Sequence, residues 1–238
     1  TIAVLALGVA VAPSVFAGAG PGPSGDGVGI ARGDNGALLS IIDPARDGNA
    51  GNFQYALWGA DGDTRVAGDW NGDGTTTLGA VREDNGALLW ILDWSGTGSP
   101  TYILFGSAGD RPVVGDWDPS QPGDEIGFVR ERTDVNALEW VLKDNTPGPG
   151  FSRTLFGADT DKEAPGNWDG DSGNGDEKGV VRDDGGARLW ITEGSGGIDF
   201  NLFGAAGDTA TPGDYTGDGN TNRGVRPTTG DGNVFILD

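Results

Sequence analysis

The sequence predicts an all-β protein built from about five four-stranded repeats of about 48 residues, and three observations carry that expectation. A Gly-x-x-Arg word ends at Arg32, Arg82, Arg130 and Arg182, and a shortened form ends at Arg226, so the outermost arginines lie 194 residues apart over four intervals. A second word, Leu-aromatic-Gly, recurs at Leu57-Trp58-Gly59, Leu104-Phe105-Gly106, Leu155-Phe156-Gly157 and Leu202-Phe203-Gly204. From each of its glycines to the recurring aromatic (Trp70, Trp117, Trp168, Tyr215) is eleven residues, which marks a fixed structural segment. The third observation is composition: 46 Gly and 13 Pro, with no run patterned as a long amphipathic helix, describe short strands joined by tight turns.

Taken in order, residues 1–17 are apolar and uncharged. They read as the apolar region of a secretory signal peptide, with Val15-Phe16-Ala17 as its cleavage site, or as a retained closing or donor strand. Residues 18–238 form a single repeat domain. Its second repeat shows the unit: a strand at 78–83, a turn at Asp84-Asn85-Gly86, a strand at 87–93, a variable loop, then strands at 101–106 and 111–116. Asp-Asn-Gly here, Asp34-Asn35-Gly36 earlier and Asp183-Asp184-Gly185 later are hairpin chemistry, because the turn needs residues that tolerate positive φ. Strand interiors such as Leu88-Leu89-Trp90-Ile91-Leu92 are almost continuously apolar, which predicts strands covered on both faces.

Trp90, Trp140 and Trp190 share one repeat position, with Ser40 and Phe235 in the outer copies, and are expected in the core between repeats. The recurring arginine is expected to bond carbonyls or an acid between repeats, with Asp63, Asp110, Asp161 and Asp208 as the acids, each four residues after its Leu-aromatic-Gly glycine. The segments that escape the repeat are residues 43–52 and 143–150, where a specific partner is best sought.

The last repeat carries its first two strands, ending at residues 233–238. Counterparts of the other two lie at the N-terminus: Leu5-Ala6-Leu7-Gly8 for the Leu-aromatic-Gly strand, and Phe16-Ala17-Gly18 for the Val66-Ala67-Gly68 strand. Two closures follow. The segment completes its own chain's last repeat and makes a ring, or it completes a neighbour's and makes a head-to-tail fibre by strand addition, with residues 18–25 as the linker.

The aromatic after each constant spacing opens a word with oxygen-bearing side chains at alternate positions. In the first full copy these are Asp69, Asn71, Asp73, Thr75 and Thr77, with Gly72 and Gly74 between them. A hard cation such as Ca²⁺ takes six to eight oxygens, and a tightly turning loop brings alternate positions round one point. The other copies offer Asp116, Asp118, Asp124 and Glu125; Asn167, Asp169, Asp171, Asp176 and Glu177; and Asp214, Thr216, Asp218, Asn220 and Asn222. Three to four Ca²⁺ sites are therefore expected, with the Asp116 copy departing from the others in being rewritten around Pro119 and Pro122. The copy near residues 18–29 has only Asp26 and is expected to be metal-free. The competing reading is that Asp, Asn and Gly make Asx-turns between strands.

A formal net charge of −21, from 36 acids against 15 bases, argues against nucleic acid and anionic membrane as partners and for cations. The absence of Cys and His removes thiolate and imidazole metal sites, the Ser-His-Asp triad and the commonest general base. No segment is long and uninterrupted enough to read as a membrane span.

Gly68-Asp69-Trp70-Asn71-Gly72-Asp73-Gly74, Gly79-Ala80-Val81-Arg82 and Leu202-Phe203-Gly204-Ala205-Ala206-Gly207-Asp208 resemble the FG-GAP and VCBS-type repeats of bacterial surface proteins, kin to the calcium-bearing blades of integrin α-subunits. The resemblance covers roughly residues 24–238. It implies a β-propeller with Ca²⁺ in the inter-strand loops and an extracellular adhesion, matrix or recognition role. Five repeats are few for such a propeller, so an open stack with a line of cations along one edge is the alternative. Three functions are in play. The first is a secreted or cell-surface, non-enzymatic structural or adhesive protein. The second is a lectin-like recognition module for glycans or proteins. The third is a glycan-active hydrolase with paired carboxylates, against which stands the placement of nearly every acid at a repeat-equivalent position.

Overall fold

A computed structural model describes residues 14–21, 25–144, 150–228 and 235–238. Five antiparallel sheets form the blades of a β-propeller. Blade 1 comprises β1 (Ser14–Pro21), β2 (Asp26–Asp34), β3 (Ala37–Asp43) and β4 (Gln54–Ala60). Blade 2 comprises β5 (Thr64–Gly68), β6 (Thr77–Asp84), β7 (Ala87–Leu92) and β8 (Thr101–Ser107). Blade 3 comprises β9 (Arg111–Gly115), β10 (Glu125–Arg132), β11 (Ala137–Lys143) and β12 (Phe151–Leu155). Blade 4 comprises β13 (Lys162–Glu163), β14 (Gly179–Asp184), β15 (Ala187–Gly194) and β16 (Gly197–Ala205). Blade 5 has three described strands, β17 (Thr209–Ala210), β18 (Gly224–Arg226) and β19 (Ile236–Leu237). The first strands gather on the axis, where Val66, Pro112, Val114, Glu163 and Ala210 line a cavity of about 500 Å³.

Blade and sequence repeat are out of step by one strand. The unit read from the sequence runs from β6 to β9, whereas the sheet runs from β5 to β8, so the fourth strand of each repeat opens the next blade. The repeats are thereby interlocked, each depending on its neighbour for one edge. The array closes as a ring rather than an open stack, because the Asp26 N–H donates to the Asp214 carbonyl and the Asp214 N–H donates to Asp26 Oδ2 at 2.9 Å, joining blade 5 to blade 1.

Phe16 and Ala17 pair with Gly29 and Val28 as Val66 and Ala67 pair with Gly79 and Leu78, the register expected from sequence. β1 continues to Pro21, which pairs with Asp26, so residues 18–21 are strand and not a linker. Leu5-Ala6-Leu7-Gly8 lies outside the described residues, as does most of the 143–150 loop.

The core sits between blades, and the recurring words explain it. Trp90, Trp140 and Trp190 are fully buried, and each indole N–H donates to a carbonyl of its own blade's fourth strand or the residue just after it: Phe105 at 2.8 Å, Phe156 at 3.0 Å and Phe203 at 2.9 Å. A strand covered on both faces needs such a partner for every polar atom. Trp90→Phe keeps most of the apolar volume, as Phe235 does in blade 5, and removes only the donor. We expect it to cost about 1–2 kcal/mol in urea unfolding, leaving the fold intact.

The Gly-x-x-Arg glycine leaves room for the loop aromatic. A Cβ on Gly79, Gly179 or Gly224 would come within 3.2, 2.8 and 2.9 Å of Trp70, Trp168 and Tyr215. The arginine makes the expected ion pairs: Arg82 with Asp63, Arg130 with Asp110, and Arg182 with Asp161, at 2.8, 2.8 and 2.6 Å. Each of these acids also caps the turn that leads into the next blade, accepting from the N–H of Ala60, Ser107 or Ala158. Hairpin chemistry holds at Asn35-Gly36 and Asn85-Gly86, all with positive φ. At the third hairpin the positive-φ pair is Gly185-Gly186, one residue beyond the expected position.

Candidate cation loops

In blades 2 to 5 the candidate ligands lie in the loop between the first and second strand. In blade 2, Asp69 turns its carboxylate back over its own loop: Oδ1 accepts from Gly72 and Asp73, and Oδ2 from Gly74, at 2.8–3.1 Å. Asp214 in blade 5 repeats this with Gly217, Asp218 and Gly219. Asn167 makes one such bond, to Gly170. Successive positions form Asx-turns. Asn71 accepts from Asp73, Asp73 from Thr75, Asp118 from Ser120, Asp169 from Asp171, Asp171 from Gly173, and Asp218 from Asn220. Thr216 donates to Asp214 at 3.4 Å.

The far end of the loop folds back onto its start. Glu125 Oε2 accepts from the N–H groups of Trp117 and Asp118, Glu177 Oε2 from Trp168 and Asp169, and Asn222 Oδ1 from Tyr215. Thr77, the counterpart in blade 2, points elsewhere and donates to the Asp93 carbonyl. Asn220 sits over Gly170 of the preceding blade, where a Cβ would lie 2.5 Å from its Oδ1.

The residue before each of these closes a clasp between blades. Asp124 Oδ2 accepts from Asp69 N at 2.7 Å while Asp124 N donates to Asp69 O at 2.8 Å. Asp176 and Asp116 are joined the same way, at 3.1 and 2.7 Å, and so are Asp26 and Asp214. Between blades 4 and 5 the clasp is Thr221 N to Asn167 O, with Asn167 Nδ2 donating to Gly219 O. The three acidic clasps are Gly-Asp dipeptides. Gly25, Gly123 and Gly175 have φ of +86, +97 and +81, and a Cβ on each would lie within 2.4 Å of the facing carbonyl. Only glycine fits that approach.

The electrostatics divide the loops. Asp73 and Asp218 are exposed and held below the usual carboxylate range, Asp73 by hydrogen bonds from Asn71 and Thr75, and Asp218 by those from Asn220 and Thr216. The clasp acids go the other way. Burial, reinforced by neighbouring carboxylates, pushes Asp124 up to about 6 and Asp176 up to about 7. Burial likewise raises Glu125 to about 7, and raises Asp26, Asp116 and Glu177.

The donor set is all oxygen, as a hard cation requires. Against occupancy of a ready-made cage, no three acidic side chains among the described residues converge at metal-binding distance. The loop that best fits a cation is that of Asp116, whose Oδ1 is buried with no hydrogen-bond partner beside Asp118, Glu125 and Asp176.

Sequence reasoning grouped Asp124 and Asp176 with cation ligands and set Asp26 aside. The structure places all three as inter-blade hooks, and the legible signal is the Gly-Asp dipeptide whose Asp stands three residues before Gly29, Gly127 and Gly179. Among the described residues no helix is long and apolar enough to cross a membrane. No family model matches the chain, and no curated protein matches it.

Proposed function

We propose that this chain is a non-enzymatic, secreted or cell-surface propeller of the FG-GAP and VCBS type, with a structural or adhesive role, whose clasped loops take up Ca²⁺. The reading is carried by Asp116: an unpartnered buried carboxylate oxygen, in a loop where neighbouring acids crowd and the buried cationic side chains lie elsewhere. A divalent cation there would have to draw Asp118 and Glu125 in towards Asp116, since the three do not converge at metal-binding distance as they stand, and would relieve the repulsion among these acids. Loops starting at Asp69, Asn167 and Asp214 bind more weakly, because their first side chain already caps loop N–H groups.

Cation uptake stabilises folding by mass action, by about 2.7 kcal/mol for one site at a hundredfold excess over its Kd. Chelation is therefore expected to lower the melting temperature. Calcium titration by calorimetry should show one site lost in Asp116→Ala, and a smaller loss of stoichiometry in Asp73→Ala. An unchanged melt in excess chelator would count decisively against the proposal.

One observation favours carbohydrate recognition as a second reading. Trp94 is 40 % exposed in the variable loop after β7, beside the hydroxyls of Ser95 and Thr97. A glycan array on wild type and Trp94→Ala separates the two: binding lost in the variant supports recognition.

A further inference from the structure

Charged residues that depart from the repeat gather on the axis. Immediately after the Asp that caps each turn, the first strands of blades 2 to 5 open on Thr64, Arg111, Lys162 and Thr209. The next residue alternates to the opposite face, toward the preceding blade, and is Arg65, Pro112, Glu163 or Ala210. Between blades 3 and 4 these two positions meet as an ion pair: Arg111 Nε donates to Glu163 Oε2 at 2.7 Å. The seam between blades 4 and 5 keeps the cation and loses the acid. Lys162 stands in the place of Arg111 and Ala210 in the place of Glu163, and among the described residues Lys162 makes no ion pair.

A second cation joins it. Where blades 1, 2 and 3 bury Leu38, Leu88 and Leu138, blade 4 has Arg188. Lys162 pairs with Val181, which pairs with Trp190, two residues from Arg188, so both cations belong to one face of blade 4. That face packs against Val225 and Ala210 of blade 5. Arg188 reaches Asp183 at 2.8 Å and the Asp208 carbonyl, while its Nε is buried with no hydrogen-bond partner. A guanidinium in place of leucine, with one donor unused, is a cost that the blade fold itself does not require.

Lys162 and Arg188 both line the axial cavity, whose volume of about 500 Å³ is that of a small-molecule site. The two acids that share its wall are already engaged, Glu163 by Arg111 and Asp208 as acceptor from the Ala205 N–H. Much of the remaining wall is apolar, with Val114, Pro165 and Pro212 at one repeat position. We propose that this cavity binds a small organic carboxylate. Its head sits on Lys162 beside Arg188, where the Glu163 carboxylate sits one seam earlier, and its apolar body runs along Val114, Pro165 and Pro212. In a chain of net −21 an anion needs such a local pair of cations to enter at all. The cavity shares no residue with the candidate cation loops, and its occupation goes beyond the structural reading above without requiring Ca²⁺.

The test titrates hexanoate, acetate and hexan-1-ol into the whole chain, followed by calorimetry and by backbone amide shifts. Hexanoate is expected to bind at one site, with shifts centred on Thr209 and Ala210. It should bind about tenfold or more tighter than acetate, which lacks the apolar body, and than hexan-1-ol, which lacks the charge. Two variants locate the head group. Lys162→Gln should weaken hexanoate binding about tenfold or more, and because Lys162 is exposed the change leaves the fold in place. Ala210→Glu restores the acid of the preceding seam, so it should pair with Lys162, melt at or above the wild-type temperature and bind no hexanoate. No saturable binding of hexanoate up to about 10 mM overturns the proposal. So does equal binding of the three probes, a shift pattern centred away from the axis, or binding unchanged in Lys162→Gln. Loss in Ala210→Glu alone also counts against it, because an added side chain blocks a cavity by bulk without any help from charge.

Discussion

Acidifying the metal-free protein from pH 8 to pH 5 is expected to raise its melting temperature, by about 5 °C or more, where most acidic proteins lose stability or stay level. The cause is the clasp. Asp124 and Asp176 are buried among Asp69, Asp116, Asp26 and Glu177, and their carboxyls hold the proton to about pH 6 and 7 in the folded ring. In the unfolded chain the same groups titrate near 4. Between those limits the folded state binds more protons than the unfolded one, so stability falls as pH rises through the window and is regained as pH falls. Together the two groups contribute roughly 3–4 kcal/mol, taken as one coupled quantity. Below about pH 4 the sign reverses, because Asp73 and Asp218, held low by their hydrogen bonds, then lose a stabilising charge. Thermal melts in chelator across pH 4.5–8.5 measure this directly, and the double variant Asp124→Asn, Asp176→Asn should lessen the slope while keeping the clasp acceptors, the remainder coming from Glu125, Asp26, Asp116 and Glu177, which burial also raises. A melting temperature that climbs from pH 5 to 8 in the wild type would rule the account out. Saturating Ca²⁺, on the proposed function, supplies at pH 8 what protons supply at pH 5, and should erase most of the slope.

The repeat was legible because it is carried by residues whose chemistry depends on their immediate neighbours. The spacing from Gly59 to Trp70 survives in every copy because strand, turn and aromatic plug form one local piece, and Gly79 has to be small for Trp70 to lie over it. The Arg82–Asp63 pair could be anticipated because both residues recur with the period and carry opposite charge. The blade boundary could not, since a period of about 48 residues looks the same whichever strand it is counted from. The clasps were hidden for a different reason. Asp124 bonds to the backbone of Asp69, 55 positions away, and a backbone N–H leaves no mark in a sequence. An acid in a Gly-rich loop reads equally well as a ligand, a turn cap or a hook, and in this ring different acids of one loop take each of the last two roles. Asp26 shows the cost of reading by ligand count: as the single acid of its loop it was set aside, yet it joins blade 5 to blade 1.

Replacing Arg65 with Ala is expected to cost about 3 kcal/mol, roughly 10 °C for a chain of this length, more than any single clasp acid. Blades 1 and 2 meet at the seam where, among the described residues, no clasp of either the Gly-Asp or the Thr221 kind occurs, Thr76 standing in the hook position of blade 2. Arg65 spans that seam instead. It is 4 % exposed, and its guanidinium donates to Gly79 O of blade 2 at 2.9 Å and to Trp58 O and Leu38 O of blade 1 at 2.9 and 3.3 Å. The counterparts of Arg65 in the other blades are Pro112, Glu163 and Ala210, so the repeat gave no hint of it. Burial pulls the guanidinium down to about 10, partly opposed by Asp63, and it stays charged at neutral pH. Truncation removes three hydrogen bonds to carbonyls and opens a void, whereas the charge-burial cost it relieves offsets only part of the loss. Arg65→Met, which keeps volume without donors, should recover less than half of the loss, and Arg65→Lys should do little better, because one ammonium cannot face three carbonyls set by a planar fork. If instead Met restores wild-type stability in urea unfolding, the Arg65 side chain contributes packing alone, and the polar link across this seam is the bond from the Trp58 indole N–H to Ile91 O.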